Sequence, residues 1–305
     1  MYKNDPELRT IDDNIELSEN QILELKQCAS DIFEFAKHFY IIGPDGEKPI
    51  ELKSHQRKIL NSFINGKKPN NIVLAYRQSG KSTLLALYGL WYAIFNPNKW
   101  VGVLANKQAM SEEIFKKIKL AYHHLPLWMQ PGLDITCKNN IWTKDCIALA
   151  NGSRLFAASA SSSAICGKTI DLMLVDEFAF LSDDTADDFM KSIFPTQVSR
   201  PTAKMIIASS PHGMNHFYML WQKALTGNST FEPIKITAMD NPEMYNDADW
   251  CKNMELKYGA KLVDQEFLCQ FLSAEKPILT DEQKAARKQK IIDKITELTK
   301  ELAEL

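Results

Sequence analysis

Long hydrophobic runs are missing from this sequence of 305 residues. Apolar runs such as those at 72–75 and 172–175 are far too short to cross a bilayer. The amino terminus has no apolar stretch behind its charged residues, so it does not resemble a secretory signal. We therefore expect a soluble, intracellular protein that does not enter a membrane.

Paired cysteines and an excess of one charge are also missing. The six cysteines include no C-x-x-C pair and no accompanying histidine cluster, which favours reduced, mostly buried thiols over a zinc site. The formal net charge is −2, whereas a non-specific nucleic-acid coat would be basic. Bulk charge therefore gives no support to DNA binding, although a local basic channel stays open as an alternative.

Two helices are predicted before the first strand, in a lead-in over 1–53 and just beyond it. Ser18 can cap a helix over 18–40, and Gln21 is placed for a capping box. Residues 43–46 read Gly-Pro-Asp-Gly, which predicts a turn. The second helix is predicted over 52–64, with Ser54 as its cap.

From residue 71 onward, short apolar strands alternate with helices. Strands are predicted at 71–76, 100–105, 153–158, 171–176 and 204–209, and helices at 81–95, 111–123, 185–193 and 215–226. This alternation favours a mostly parallel sheet with helices on both faces. We predict an α/β domain over 54–272, in which about 231–272 forms a small helical lid.

The segment 273–305 differs from the rest in composition. Its last apolar residues repeat at spacings of four and three, as in a heptad seam. These residues are Ile291, Ile295, Leu298, Leu302 and Leu305. The pattern predicts either a coiled coil that assembles several chains or an amphipathic helix folded back on the domain.

Residues 75–82 carry the pattern of a phosphate-binding loop. They read Ala-Tyr-Arg-Gln-Ser-Gly-Lys-Ser, which is G-x-x-x-x-G-K-S with alanine in the first position. Gly80 lets successive backbone N–H groups point at phosphate oxygens, and the helix that follows adds its positive end. Lys81 is expected to reach the β- and γ-phosphates and Ser82 to bind Mg²⁺. Gln78, Ser79 and Thr83 complete the predicted ATP-binding loop.

Arg77 is unusual inside such a loop. Its guanidinium could stabilise the charge that develops on the γ-phosphate, as an arginine finger supplied within the same chain. The alternative is a structural arginine that pairs with a carboxylate of a nearby loop.

Two carboxylates end the apolar strand predicted at 171–176. The carboxyl ends of parallel strands line the ligand crevice, so Asp176 can hold Mg²⁺ and Glu177 can polarise the attacking water. A turn or helix cap is the alternative. Together with the phosphate loop, the pair predicts an ATPase.

Two further elements have open interpretations. Ser209 and Ser210 follow a predicted strand and could sense the γ-phosphate, or they could form a plain strand–helix turn. The side-chain amide of Gln56 can donate and accept at once, which suits adenine recognition, but a solvated helical glutamine fits equally well.

Three segments together resemble the large terminase subunit of tailed phages, the motor ATPase that packages DNA into a procapsid. They are the phosphate loop with its internal arginine, Leu-Met-Leu-Val-Asp-Glu-Phe-Ala-Phe at 172–180, and Ser-Ser-Pro-His-Gly-Met-Asn-His-Phe-Tyr at 209–218. The loop arginine and the Ser-Pro-x-Gly segment are more specific than a generic P-loop. The resemblance runs over about 29–271 and includes 101–107, 151–153 and 265–267.

The resemblance implies a RecA-like P-loop NTPase fold and supports the roles given above. It assigns Mg²⁺ binding to Asp176, general base catalysis to Glu177, coupling to Ser209 and Ser210, and adenine recognition to Gln56. It places Arg77 near the γ-phosphate, where a residue from a neighbouring subunit shares the charge stabilisation. It also implies a double-stranded DNA substrate, a homo-oligomeric ring at the portal of the procapsid, a small terminase subunit as partner, and action in the cytoplasm of the infected host.

The sequence departs from the family pattern in two places. The family often has an Arg-Gly pair shortly before the acidic strand, where this chain has Cys166-Gly167. Any role of that arginine would fall to Lys168, Arg154 or Arg200. Large terminases also usually carry a C-terminal nuclease of about a hundred residues or more, which does not fit after Phe271. We therefore expect the motor half alone, without nuclease activity.

Two other function classes stay open. A helicase-type DNA-dependent ATPase would unwind strands, and it usually needs a second RecA-like lobe. A nucleotide-switched assembly protein would change shape without meaningful turnover, which the Asp176–Glu177 pair disfavours.

Overall fold

The structure, a computed structural model, describes residues 2–137, 141–161, 169–200, 202–245 and 249–273. The chain divides into two compact units, Met1–Leu272 and Ser273–Leu305. The heptad pattern at 291–305 lies outside the described residues, as do Cys166 and Lys168, so the predictions made for them stay predictions. Within the described ranges, no helix has the length and apolar character needed to cross a membrane.

The first predicted helix is correct at its start and wrong at its end. Helix α1 covers Glu19–Ser30, and the capping box between Ser18 and Gln21 is present. The helix stops because Asp31 is extended and its side chain accepts the backbone N–H of Phe33 at 2.8 Å, which starts a new helix. Helix α2 covers Ile32–Phe35 and a 3₁₀ turn covers Ala36–His38, so the predicted single helix over 18–40 is broken.

A small hairpin and a helix lead into the main sheet. Strands β1, Tyr40–Gly43, and β2, Gly46–Pro49, pair antiparallel, which confirms the predicted turn at 43–46. Helix α3 covers Ser54–Asn65 and is capped at Lys53, so the prediction of Ser54 as cap is wrong by one residue. The side chain of Gln56 accepts the backbone N–H of Lys53 at 3.0 Å and supplies the first-turn contact instead.

A seven-stranded sheet forms the centre of the described domain. Its order is β5-β6-β4-β7-β8-β3-β9, and every neighbouring pair is parallel except β5–β6. The strands are β3 Asn70–Ala75, β4 Trp100–Ala105, β5 Cys146–Ala148, β6 Arg154–Ser159, β7 Leu172–Asp176, β8 Lys204–Ser209 and β9 Phe231–Ile236. The prediction of an α/β domain with a mostly parallel sheet is confirmed.

The two edge strands are absent from the sequence prediction. Strand β9 pairs with β3 in parallel, so the first six residues of the predicted lid belong to the sheet. Pro233 cannot donate a ladder hydrogen bond, and proline is tolerated in a sheet at an edge such as this one. The other edge strand, β5, has only three residues.

Six further helices complete the described domain. They are α4 Lys81–Phe95, α5 Gln108–His124, α6 Asp183–Ser199, α7 His216–Leu225, α8 Trp250–Tyr258 and α9 Ala260–Glu266. Helix α4 is buried on most of its circumference. A Cβ on Gly89 would lie 2.8 Å from the side chain of Leu174, so α4 packs closely on β7. This packing brings the start of α4 near the carboxyl end of β7.

A buried aspartate ties the amino ends of the parallel strands together. Asp171, just before β7, accepts the backbone N–H of Trp100 at 2.9 Å and lies 3.3 Å from the ammonium of Lys99. It also forms an ion pair with Arg200, which precedes β8. Two cations and a backbone donor thus compensate the burial of this carboxylate.

Candidate active site

The phosphate loop lies between β3 and α4, in the predicted strand–loop–helix order. Gln78 and Gly80 have left-handed backbone angles, with φ of +66° and +87°. Left-handed residues within a tight loop turn successive N–H groups toward one side, as in known anion-binding loops. Gly80 also packs against Gln56, because a Cβ there would lie 2.4 Å from the amide nitrogen of that side chain.

The lysine of this loop meets the acidic pair at the end of β7. The Nζ atom of Lys81 lies 2.9 Å from Oε1 of Glu177. The hydroxyl of Ser82 donates a hydrogen bond to Oδ2 of Asp176. The side chains of Lys81 and Glu177 are only 7% and 18% exposed, so solvent screens their attraction weakly. The two motifs read from the sequence thus form one polar cluster.

The cluster shifts the proton affinities of its members. Burial raises the pKa of the Asp176 carboxyl, and Glu177 adds to the shift while Lys81 opposes it. Burial alone would lower the pKa of Lys81, but Asp176 and then Glu177 outweigh it, and the pKa lies above its usual value. Lys81 is therefore an ammonium ion at neutral pH, as phosphate binding requires.

Glu177 has an unusual backbone conformation, with φ of +52° and ψ of +40°. A 3₁₀ turn over Phe178–Phe180 follows it directly. Ser209, at the end of the adjacent β8, accepts the N–H of Ala179 at 3.1 Å, and its hydroxyl lies 3.4 Å from Oε2 of Glu177. The predicted coupling residue thus contacts the predicted base, although its coupling role stays a prediction.

Arg77 is paired with a carboxylate. Its Nε lies 2.7 Å from Oε2 of Glu266, and its backbone N–H donates to the carbonyl of Glu266 at 3.1 Å. The guanidinium also lies over the ring of Phe180, 5.9 Å from its centroid. This arrangement corresponds to the structural alternative for Arg77. The side chain is 59% exposed, and its catalytic role stays a prediction.

Gln56 contacts the phosphate loop from helix α3. Its amide nitrogen donates to the carbonyl of Ser79 at 3.2 Å, while its oxygen accepts from Lys53. His55 lies beside it, with Nε2 3.3 Å from the same carbonyl. Gln56 therefore supports the loop, and its predicted contact with adenine stays untested.

Many family members have an arginine shortly before the acidic strand, and its role was expected to fall to Lys168, Arg154 or Arg200. Of these three, Arg154 and Arg200 lie away from the cluster of Lys81 and Glu177. Arg154 begins β6, where it contacts the thiol of Cys137 at 2.7 Å, and Arg200 precedes β8. Both lie at the amino ends of parallel strands, whereas Lys81 and Glu177 follow carboxyl ends. A strand of six residues spans about 20 Å, so neither arginine serves this chain's own cluster.

Oxygen donors in the cluster suit Mg²⁺. Ser82 and Asp176 offer a hydroxyl and a carboxylate side by side, the kind of ligands that Mg²⁺ prefers. Among the described residues, no group of three or more His, Cys, Asp or Glu side chains could hold a metal by itself. Buried hydroxyls of Ser79 and Ser210 have no hydrogen-bond partner within the same ranges. The oxygen atoms of Ser82 and Asp176 therefore fit a Mg²⁺ ion whose other ligands would be phosphate oxygens of a nucleotide.

No sequence pattern indicated an individual role for four side chains at this site, which are His55, Asn215, His216 and Glu266. Glu266, Asn215 and His216 fall inside stretches that carry the family resemblance, which was the available signal. His55 directly precedes Gln56 and could have been inferred only from the helix position. Of the five described cysteines, only Cys28 and Cys269 are buried, so the prediction of mostly buried thiols is correct for these two alone.

The fold and the cluster define a RecA-like P-loop NTPase domain. The model of the terminase large subunit family, T4-like-virus type, N-terminal, matches residues 72–285. The chain belongs to this family.

Solved structures of phage terminases share the fold. The ATPase domain of the Thermus phage P74-26 large terminase has a TM-score of 0.57 at 19% identity, covering 73% of this chain and 94% of that one. The large terminase of bacteriophage HK97 has a TM-score of 0.58 at 19% identity, covering 85% and 52%. A large terminase from a thermophilic bacteriophage, in complex with ADP, has a TM-score of 0.53 at 14% identity, covering 72% and 54%. This chain thus spans about half the length of the last two.

Proposed function

We propose that this chain hydrolyses ATP and uses the energy to move double-stranded viral DNA into a procapsid. The observation that carries the proposal is the contact between Lys81 of the phosphate loop and Glu177 at the end of β7, 2.9 Å apart. Membership of the terminase large subunit family supplies the DNA-packaging context. The large terminase of the thermophilic bacteriophage, which shares the fold, is known in complex with ADP.

Each residue of the cluster has a role in this proposal. Lys81 and the backbone of the phosphate loop bind the terminal phosphates, and Ser82 and Asp176 hold Mg²⁺, which would neutralise charge on the phosphate oxygens. Glu177 accepts a proton from the attacking water. Water forms the new bond to the γ-phosphorus, the bond to the bridging oxygen breaks, and ADP and inorganic phosphate are released.

The Lys81–Glu177 ion pair fits a resting state of this mechanism. Phosphate oxygens compete with the carboxylate for the ammonium, because both are anionic acceptors of its three hydrogens. Binding of ATP would therefore release Glu177 from Lys81 and leave it free to accept a proton.

The proposed partners of this chain are inferred from its membership of the terminase large subunit family. We infer a homo-oligomeric ring at the portal of the procapsid, a small terminase subunit as partner, and action in the cytoplasm of the infected host. Arg77 and a residue of a neighbouring subunit would share stabilisation of the developing charge.

ATP turnover with and without double-stranded DNA and procapsids tests the proposal. We expect Mg²⁺-dependent turnover that rises when both are added, and entry of DNA into a nuclease-protected state. The variant Glu177→Gln should lower turnover by about 100-fold or more while it still binds ATP. Equal turnover in this variant and the parent would remove Glu177 from the mechanism. Strand displacement without protection of DNA would favour the helicase alternative.

A further inference from the structure

The backbone of Glu177 needs support from its surroundings. Left-handed angles such as its φ of +52° are unfavourable for a residue other than glycine. Such a conformation persists only where neighbouring contacts hold it. The contacts that fix the turn after Glu177 therefore decide where its carboxylate points.

Two side chains at the start of α7 hold the next two carbonyl groups. The amide nitrogen of Asn215 donates to the carbonyl of Ala179 at 2.6 Å. The Nε2 atom of His216 lies 2.8 Å from the carbonyl of Phe178, and since a carbonyl only accepts, Nε2 is the donor. Ser209 accepts the N–H of Ala179 from the side of β8. The turn is thus held from a strand and from a helix.

The amide of Asn215 has a defined orientation with two functions. Its oxygen accepts the N–H groups of Phe217 at 3.1 Å and Tyr218 at 3.4 Å, as the N-cap of α7. The nitrogen is consequently directed to Ala179. Capping and turn contact thus use opposite ends of one side chain, so a substitution can separate them.

The ring of His216 is oriented by Asp183 at the start of α6. Its Nδ1 lies 2.7 Å from Oδ1 of Asp183, and its backbone N–H donates to the same oxygen at 3.2 Å. The hydrogen bond from His216 lowers the pKa of the Asp183 carboxyl. The ring also meets Phe178 edge-on, with centroids 5.0 Å apart. His216 is therefore fixed on both sides between α6 and the turn.

We propose that Asn215 and His216 are positioning residues that keep Glu177 at the phosphate loop by holding the carbonyl groups of Phe178 and Ala179. This inference rests on the proposed role of Glu177 as general base. Both residues act through the backbone of the turn rather than by touching the substrate. Loss of either contact lets Glu177 relax toward ordinary backbone angles, which moves its carboxylate away from Lys81.

The variants Asn215→Ser and Asn215→Asp test this inference. Serine and aspartate are as good as asparagine at the N-cap. Aspartate has no hydrogen to donate to Ala179, and the serine side chain is one bond shorter than the amide that reaches it. We expect kcat to fall about 10-fold to 100-fold, as for a misplaced catalytic group, with KM for ATP and the urea unfolding midpoint near the parent's. The two variants serve as replicates, so that one decides if the other does not fold.

A control and a double variant separate positioning from a general structural effect. Ser18→Ala removes the hydroxyl that accepts the N–H of Gln21 at the N-cap of α1, outside this chain of contacts, so it should lower the unfolding midpoint and leave kcat unchanged. In the Glu177→Gln background, Asn215→Ser should change the residual turnover by less than about twofold, because its effect passes through Glu177.

Three results would contradict the inference, and they can be told apart. Parental kcat in a folded Asn215→Ser variant, or an equal fold-loss in the Glu177→Gln background, removes the positioning role while the proposed ATPase stands. Full activity of Glu177→Gln itself overturns the role of Glu177, and the positioning role is lost with it.

Discussion

The ion pair between Arg77 and Glu266, 2.7 Å from Nε to Oε2, joins the phosphate loop to helix α9. It leaves two interpretations of Arg77, as a structural tie or as a group that acts on phosphate. A comparison of Arg77→Ala with Glu266→Gln separates them. If Arg77 stabilises the developing charge, Arg77→Ala should lower kcat by about 10³-fold or more, whereas Glu266→Gln leaves kcat near the parent's. If kcat falls by the same modest factor in both variants, the ion pair between Arg77 and Glu266 has only a structural role.

Gly80 is expected to be essential for nucleotide binding. Alanine there has to adopt a φ of +87° and also displace Gln56, whose amide nitrogen would lie 2.4 Å from the new Cβ. Gly227→Ala is the matched control, because Gly227 has a φ of +80° and open space around it. Both variants should lose about 1–2 kcal/mol of unfolding free energy, and Gly80→Ala alone should lose ATP affinity by titration. Normal ATP binding by Gly80→Ala would contradict the role of the loop.

Stability should decrease in mild acid through His55. Burial lowers the pKa of its imidazole from the ordinary 6.5, and within the described residues its Nδ1 has no hydrogen-bond partner. The unfolded chain therefore binds the proton more readily, so this contribution is full above about pH 6.5 and is lost as the pH falls toward the folded-state value. Urea unfolding between pH 7.5 and pH 5 should show a smaller pH slope in His55→Gln than in the parent. If the pH slopes of the two proteins are identical, His55 does not cause the loss of stability in mild acid.

Asp176→Asn should separate stability from activity. The substitution replaces a buried carboxylate, whose pKa burial raises, by a neutral group of the same shape, and Lys81 keeps its partner Glu177. We expect Mg²⁺-dependent turnover to fall by about 100-fold or more. The unfolding free energy without nucleotide should stay level or rise. A loss above about 1 kcal/mol would show that the ionised carboxylate stabilises the fold.

Removal of Mg²⁺ should abolish turnover and weaken ATP binding. Ser82→Ala leaves Asp176 as the remaining protein ligand, so this variant should need more Mg²⁺ for half-maximal turnover. A titration of turnover against Mg²⁺ measures the shift. An unchanged Mg²⁺ requirement in Ser82→Ala would place the metal elsewhere.

The sequence predicted best those parts of the fold that depend on local pattern. Helix α4 and strands β4 and β8 have the predicted bounds, because continuous apolar runs and clear turn residues define them. The meeting of Lys81 with Glu177 was also predictable, since carboxyl ends of parallel strands share one edge of the sheet.

The other features of the fold and the site could not be predicted, because they depend on single side chains or on contacts between distant parts of the chain. The break after α1 arises from one hydrogen bond of the Asp31 side chain. Arg77 and Glu266 are in contact although they lie far apart in the sequence, so no local sequence pattern could predict this ion pair. The left-handed backbone of Glu177 is followed by a turn that side chains at the start of α7 contact. The backbone preferences of the local sequence therefore could not predict this conformation.

The buried Asp171 has a mechanical consequence. It locks Lys99, Arg200 and the backbone of Trp100 together at the end of the sheet opposite the phosphate loop. We therefore expect the amino ends of β4, β7 and β8 to move least during ATP hydrolysis. We expect displacement during the catalytic cycle to grow along β7 and β8 from Asp171 toward Glu177 and Ser209.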